Sequence, residues 1–118
     1  MYTVPKRLAP LRPNSKPLKD RKYLSWLHEV RQPACFCCGR EYFRISQSNR
    51  SEIHHAKENS SDARNDHYVY MLCGEECHRL GTVLSAHGTP RLFRETFSIE
   101  YQRAYAAELY QEYKNENT

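Results

Sequence analysis

Near the start of the chain, apolar side chains recur with the spacing of a helix. The positions that share this spacing are Tyr23, Leu24, Leu27 and Val30, with Trp26 on the flank. They predict a helix over residues 21–31. Asp20 can cap its first turn, because a short acidic side chain accepts hydrogen bonds from free backbone N–H groups. Pro33 ends the helix, since the residue before a proline disfavours helical geometry.

A longer helix is predicted toward the other end of the sequence, over residues 100–114. The residues there that can share one face are Tyr101, Ala104, Tyr105, Leu109 and Tyr113. A shorter helix is predicted just before it, over residues 91–97, after a break formed by Gly88, Thr89 and Pro90.

The middle of the chain carries shorter patterns. Residues 41–45, 51–55 and 68–72 lie between polar, turn-like segments, and each predicts a short extended segment. A further helix is predicted over residues 77–85. Together these elements predict an α+β fold in which helices at both ends flank a small strand-containing core, and we place one domain at residues 20–118.

Two cysteine pairs lie in this core. Cys35 and Cys38 are separated by two residues and followed by Gly39, whereas Cys73 and Cys77 are separated by three. Each pair can direct two thiolates at one ion, and four thiolates complete a closed tetrahedral zinc site. We therefore expect these four cysteines to hold a structural zinc ion.

Histidines lie between the cysteine pairs and beside the second pair. His54 and His55 end a predicted strand, where consecutive side chains leave on opposite faces. One can therefore bind a metal while the other faces a substrate. His78 directly follows Cys77 and is rotated from it by about 100° on a helix, so it can turn toward His54 while Cys77 binds zinc. These positions indicate a second metal site.

Composition supports stabilisation by a metal. The chain has 118 residues and a mean hydropathy of −0.89, so it can bury only a small core. Its five cysteines are an odd number, which a complete set of disulfides would not use. The fifth, Cys37, could replace Cys38 as a ligand, but the glycine after Cys38 favours Cys38. Clustered cysteines, with no signal peptide or membrane span after Met1, favour a reducing cytoplasm.

Basic charge is concentrated at the start of the sequence. Residues 1–22 carry seven basic side chains against one acid, and four prolines interrupt them. This composition favours a flexible arm, placed at residues 1–19, whose charge suits a polyanion such as nucleic acid. A solubilising tail explains the charge equally well. The candidates for contact with nucleic acid are Lys6, Arg7, Arg12, Lys16 and Lys19 in the arm, with Lys57 and Arg64 in a later loop.

The order of these motifs resembles the HNH, or His-Me finger, endonucleases, above all the small HNH proteins of phages and prophages. The matching features are the Cys-x-x-Cys-Gly motif at 35–39, His54-His55, the loop residue Asp66, the Leu-Cys pair at 72–73 and the Cys-His pair at 77–78. The segment before the first cysteine pair, with its Trp-Leu and Pro-Ala-Cys sequences, is also similar. The resemblance covers about residues 22–113 and implies a ββα-metal core, stabilised by zinc, that grips one divalent cation.

The resemblance implies a role for each residue that matches the family's motif. His54 and His78 are expected to bind the catalytic cation, His55 to act as general base, and Asp66 to orient this base. Mg²⁺ or Mn²⁺ is the expected cation, with Zn²⁺ or Ni²⁺ as alternatives. A neutral imidazole with a pKa of about 6.5 suits a base at physiological pH.

Two positions depart from the family's pattern. The second cysteine pair is one residue longer than usual. Many relatives carry another His or Asn four residues after the helix histidine, where this chain has Thr82. His87 is a candidate third ligand in its place, but only if the helix breaks near Gly81 or ends before His87, because nine residues of continuous helix would turn it away from His78.

The expected function is a metal-dependent endonuclease, encoded by a phage, that nicks or cuts DNA with little sequence preference. Its expected partners are DNA and a protein of the recombination, packaging or host machinery, in the host cytoplasm. One alternative, favoured by Thr82, is a catalytically inactive zinc-stabilised module that binds nucleic acid or protein on the same fold. Another is a zinc-ribbon adaptor that uses its tyrosine-rich C-terminal helix as a contact surface. His55 separates these hypotheses, because an inert binding protein needs no base there.

Overall fold

The computed structural model describes residues 17–44, 49–59 and 62–117. In chain order its elements are α1 (Arg21–Trp26), β1 (Ser51–His55), β2 (Val69–Cys73), α2 (Pro90–Thr96) and α3 (Ile99–Glu116), with π-helical segments at Leu27–Arg31 and Gly74–Arg79. Helices and a two-stranded sheet confirm the predicted α+β class. The described residues form two compact units. The first contains 17–31, 55–59, 62–69 and 99–117, and the second contains 32–44, 49–54 and 70–98.

The first helix follows its prediction at both ends. The Asp20 carboxylate accepts a hydrogen bond from the Tyr23 N–H at 3.1 Å and so caps α1. The π-helical segment Leu27–Arg31 continues the helix to the predicted end. Gln32 then takes a left-handed conformation, with φ of 46°, and Pro33 follows. A left-handed residue before a proline is a common way to stop a helix.

Aromatic rings form much of the core of the first unit. Tyr23 is fully buried, and its ring centroid lies 5.1 Å from that of Tyr110 and 5.2 Å from that of Tyr113. Trp26 contacts Tyr113 at 5.3 Å between centroids. These rings join α1 to α3, and an ion pair at 2.9 Å between Arg31 and Glu112 lies beside them.

The two C-terminal helices were predicted over 91–97 and 100–114, and both predictions are confirmed to within two residues. The face that α3 buries matches the predicted one in part, since Ala104 and Leu109 are common to both. Its buried residues are Gln102, Arg103, Ala104, Ala106 and Leu109. The tyrosines predicted for that face stay half-buried, as expected for rings whose hydroxyl groups keep contact with water. Within the described part of the chain, no helix has both the length and the apolar character needed to cross a bilayer.

A two-stranded sheet lies mostly in the second unit. β1 pairs with β2, and the hydrogen bonds just beyond the strands fix the register. The Gly74 N–H donates to the Arg50 carbonyl at 2.8 Å, and the Ala56 N–H donates to the Tyr68 carbonyl at 2.9 Å. From Arg50 to Ala56 the partner residue number falls from 74 to 68, so the two strands are antiparallel. Every residue of β2 is buried.

The strand predicted over residues 41–45 is wrong for 41–44, while Ile45 lies outside the described residues. Phe43 pairs with Ser51: its N–H donates to the Ser51 hydroxyl at 3.0 Å, and its carbonyl accepts from the Ser51 N–H. Because one of these two bonds uses a side chain in place of a backbone carbonyl, the pairing at Phe43 is not that of a regular ladder.

The helix predicted over residues 77–85 is also wrong. Helical turns occupy Gly74–Arg79 instead, and the chain has left them by Gly81. A Cβ atom at Gly81 would lie 1.8 Å from the carbonyl oxygen of Glu76, so only glycine fits this close passage. The Ser85 hydroxyl donates to the Gly81 carbonyl at 2.8 Å and fixes the loop that follows.

Candidate metal centres

The four predicted zinc ligands come together in the second unit and form what we call the cysteine cluster. The Sγ atoms of Cys35, Cys38, Cys73 and Cys77 all lie within 4.8 Å of one another. Those of Cys38 and Cys73 are 3.5 Å apart, close to the roughly 3.8 Å expected between two thiolates on a tetrahedral zinc ion. The cluster could therefore hold a metal such as zinc.

The turn after Cys35 has the geometry of a zinc-binding loop. Gly39 has a φ of 77°, and its N–H donates to the Cys35 carbonyl at 2.9 Å. The Cys35 Sγ accepts hydrogen bonds from the backbone N–H groups of Cys38 at 3.5 Å and Cys73 at 3.4 Å. Such bonds favour a thiolate, which is the form of cysteine that binds metal.

The four sulfur atoms of the cysteine cluster are so close that four thiolates would repel one another unless a cation lay between them. Burial alone would raise the pKa of Cys35, but backbone N–H groups of its neighbours lower it overall. Burial and the neighbouring thiols raise the pKa of Cys73 to about 12, and they likewise raise the pKa of Cys77. A bound cation would remove this repulsion by favouring thiolate at every ligand.

Cys37 is not one of the four cysteines of the cluster, although its side chain hydrogen-bonds to that of Cys77. Its Sγ lies 4.0 Å from the Leu84 carbonyl oxygen, and burial raises the pKa of its thiol. Cys38 is the fourth member of the cluster, as the glycine after it predicted.

A second group of ligands, the histidine cluster, consists of His54, His78 and His87, all in the second unit. One ring nitrogen of each lies within 4.8 Å of the other two. The three ring centroids are 4.8 to 5.3 Å apart. Three imidazoles on a tetrahedral ion leave one position for water or substrate, which is the arrangement of catalytic rather than structural zinc sites.

His87 reaches this cluster because the helical turns end early. The Ala86 N–H donates to the Cys77 carbonyl at 2.9 Å, and the His87 N–H donates to the His78 carbonyl at 2.8 Å. His87 could act as a third ligand only if the helix ended before it, and the helical segment does end before it. His87 is exposed as a residue, but partial desolvation of its ring, and then the nearby His78, lower its pKa, which favours the neutral ring that binds metal. Thr82 is exposed and takes no part in the cluster.

Glu52 is a site residue that the sequence analysis missed. Its Oε1 lies 3.0 Å from Nδ1 of His78 and 3.2 Å from Nε of Arg79. A carboxylate on one ring nitrogen fixes the ring and leaves the other nitrogen, Nε2, for a metal. The signal that could have found Glu52 is its place two residues before His54, on the same face of a strand.

His55, the expected base, lies in the first unit and pairs with Asp66. Its Nε2 is 2.8 Å from Asp66 Oδ1, and the two side chains are 19% and 10% exposed. An ionised carboxylate only accepts hydrogen bonds. A neutral His55 therefore donates from Nε2 and keeps Nδ1 as its acceptor atom.

The structure describes three of the seven candidates for contact with nucleic acid. Lys6, Arg7, Arg12 and Lys16 lie outside the described residues. Lys19 and Arg64 are exposed, and Lys57 is half-buried. The exposure of Lys19 and Arg64 leaves both able to meet a ligand.

The donor atoms of the two clusters differ in kind. Four sulfur atoms, three of them on buried residues, suit a closed zinc site. Three imidazole nitrogens, on half-buried and exposed residues, suit a transition metal with an open position. No protein-family model, curated protein or solved structure matches the chain.

Proposed function

We propose that this protein is a metal-dependent endonuclease of the HNH type that hydrolyses phosphodiester bonds in DNA. The observation that carries the proposal is the histidine cluster, in a chain where His55 directly follows the ligand His54. The proposal is supported by the order of β1, β2 and a helical segment with His78, which is the order expected for a ββα-metal core. A zinc-stabilised binding module needs the cysteine cluster alone and has no use for a second, open set of ligands.

His55 is the proposed general base. Because Asp66 accepts the hydrogen on Nε2, Nδ1 can take a proton from a water molecule. The water oxygen then attacks phosphorus, and the bond from phosphorus to the 3′ oxygen breaks. Asp66 stabilises the positive charge that His55 gains when it accepts the proton.

His54, His78 and His87 would hold the catalytic cation, with Glu52 orienting His78. Held by these residues, a cation would supply positive charge to stabilise the scissile phosphate and the leaving oxygen. Nitrogen donors suit Mn²⁺, Ni²⁺ or Zn²⁺, whereas Mg²⁺ prefers oxygen ligands. We therefore expect transition metals to support cleavage better than Mg²⁺, although the sequence alone ranked Mg²⁺ beside Mn²⁺.

The cysteine cluster has a supporting role in this proposal. Cys77 lies next to His78 on the same helical segment, and Cys73 ends β2 just before it. A zinc ion held by both cysteines would fix the position of that segment. The histidine cluster then keeps its geometry before metal or substrate binds, as productive sites require.

The basic arm is proposed to supply affinity for DNA. Four of its candidate contacts precede the described residues, and Lys19 is exposed. Contacts between basic side chains and phosphate carry no sequence information, which agrees with cleavage of little sequence preference. The adaptor alternative loses support, because Tyr110 and Tyr113 of α3 pack on Tyr23 inside the first unit.

The test is relaxation of supercoiled plasmid by the wild type and by His55→Ala, with Mn²⁺, Ni²⁺, Zn²⁺, Mg²⁺ or EDTA. We expect metal-dependent nicking by the wild type that His55→Ala loses while it keeps its zinc and its fold. His28→Gln, a histidine outside both clusters, is the matched control and should cleave like the wild type. If His55→Ala unfolds, His55 is structural. If the wild type binds zinc and DNA but none of the tested metals supports cleavage, the protein is a binding module.

A further inference from the structure

Asp66 uses both of its carboxylate oxygens, and only one of them meets His55. Oδ1 lies 2.8 Å from His55 Nε2, and Oδ2 accepts a hydrogen bond from the backbone N–H of Asp20, also at 2.8 Å. Asp66 is 7% exposed, so little water is available to hold it in place. Its orientation toward His55 therefore depends on where the Asp20 N–H points.

Asp20 is in turn fixed by bonds from two directions. Its Oδ1 accepts from the Tyr23 N–H at 3.1 Å, and its carbonyl accepts from the Leu24 N–H at 3.1 Å, so it is tied to the start of α1. Its Oδ2 pairs with Nε2 of His67 at 2.9 Å. The helix cap predicted from the sequence explains the bonds to the N–H groups of Tyr23 and Leu24. It does not explain the bond to His67.

His67 is also held firmly, and it is the residue after Asp66. Its ring stacks on that of Tyr110, with centroids 3.7 Å apart and planes 19° apart. Its N–H donates to the side chain of Asn65 at 2.9 Å. Two Asp–His pairs, Asp66 with His55 and Asp20 with His67, are thus linked through the Asp20 N–H.

The backbone reinforces this link. The Leu18 N–H donates to the Arg64 carbonyl and the Asp66 N–H donates to the Leu18 carbonyl, each at 3.0 Å. Leu18 and Asn65 form a parallel bridge. The segment 18–20, whose first two residues the sequence placed in the flexible arm, is therefore bound to the loop that carries Asp66.

We propose that Asp20 and His67 are positioning residues for the His55 base and act on it through Asp66. The proposal rests on the proposed function, since it concerns the base of that reaction. His67 holds the Asp20 carboxylate from one side and the helix cap holds it from the other, which aims the Asp20 N–H at Asp66. Asp66 then selects the His55 tautomer that carries hydrogen on Nε2 and leaves Nδ1 ready to accept a proton.

The experiment uses His67→Phe, which keeps an aromatic ring to stack on Tyr110 but removes the bond to Asp20. Plasmid cleavage is measured as kcat and KM, and ring nitrogen NMR at a pH where free imidazole is neutral reports the His55 tautomer. We expect kcat to fall by about 10-fold with KM unchanged. This is the size of effect, about 10-fold, typical of residues that orient a functional side chain in metal sites. We also expect the single Nε2–H tautomer of His55 to become a mixture. His28→Gln should change neither quantity.

Asp20 supplies the second pair of variants. Asp20→Asn keeps a capping oxygen and a polar group for His67, so it should retain the wild-type tautomer and most of kcat, whereas Asp20→Ala should lose both. An unchanged His55 tautomer in His67→Phe, or Asp20→Asn as impaired as Asp20→Ala, would overturn the proposal. The tautomer is read without cleavage, so an inactive wild type would refute the nuclease while the NMR signals still decide the positioning role.

Discussion

The two units of this chain gather different kinds of side chains. The second unit gathers two sets of metal ligands, four cysteines and three histidines, around a buried strand. The first unit has its core in stacked and edge-on aromatic rings between α1 and α3. Apolar packing needs enough side chains to exclude water, whereas a metal can fix a few ligands directly. We therefore expect the fold of the second unit to depend on metal and that of the first to depend on packing.

The largest effect is expected from Cys73→Ser, which removes one thiolate of the cysteine cluster. Binding of structural zinc contributes directly to folding, so its loss should unfold the second unit outright. The variant should retain no zinc at this cluster, and the NMR amide signals of residues 32–44, 49–54 and 70–98 should collapse to the values of an unfolded chain.

Cys37→Ser is the matched control for this experiment. Cys37 lies within two residues of Cys35 but outside the cluster, so the variant should keep zinc and fold. A stable, fully folded Cys73→Ser protein would show that packing alone maintains the second unit. Loss of zinc in Cys37→Ser would mean that the ligands have been assigned wrongly.

A smaller effect is expected from His87→Ala, which acts on function rather than on the fold. His87 is exposed, and the loop that carries it is held by backbone bonds and by Ser85. The second unit should therefore keep its zinc and its stability. Affinity for a transition metal at the histidine cluster should fall by at least about 10-fold, because one of three ligands is gone.

Competition titration with a coloured chelator measures this loss. The wild type should release two classes of metal, one held by cysteine and one by histidine, and His87→Ala should release one. His28→Gln should behave as the wild type does. Two tightly held equivalents in His87→Ala would mean that the three histidines do not form a site, and the contrast between a closed and an open cluster would disappear.

Sequence reasoning succeeded where chemistry is local. The cap at Asp20, the helix end before Pro33 and the choice of Cys38 over Cys37 each depend on residues within a few positions. It failed where a particular contact, which no spacing pattern signals, decides the path of the backbone. Residues 41–44 were predicted as a strand, but the Phe43 N–H donates to the Ser51 side chain in place of a backbone carbonyl. The helix predicted over residues 77–85 ends early because Gly81 passes against the Glu76 carbonyl.

The candidate site divides in the same way. Spacing identified the cysteines. For His87, spacing supplied only a condition: it could join His54 and His78 if the helix broke near Gly81 or ended before His87. No local pattern connects Asp20 with Asp66, which are 46 residues apart. Such contacts depend on how the chain folds back on itself, and the sequence states this only through the packing of the whole unit.

The smallest effect is expected from Tyr23→Phe, in the aromatic core of the first unit. Tyr23 is fully buried, and among the described residues its hydroxyl has no hydrogen-bond partner. Removing an unsatisfied polar group and keeping the ring should raise the free energy of unfolding by about 1 kcal/mol. Urea unfolding at pH 8 measures this difference. The signal is the change in fluorescence of Trp26, the single tryptophan of the chain.

The pH dependence of the same variant sharpens the test. Burial, and then the charge of Glu112, raise the pKa of Tyr23 well above its ordinary value of 10.0. The unfolded chain can therefore ionise Tyr23 at a pH where the folded chain cannot, so wild-type stability is complete below about pH 10 and falls as the pH rises further. Tyr23→Phe lacks this loss, and its advantage over the wild type should widen above pH 10. A constant difference between Tyr23→Phe and the wild type at pH 8 and pH 10.5 would mean that the Tyr23 hydroxyl reaches water, and that packing excludes water from the first unit less completely than its buried rings indicate.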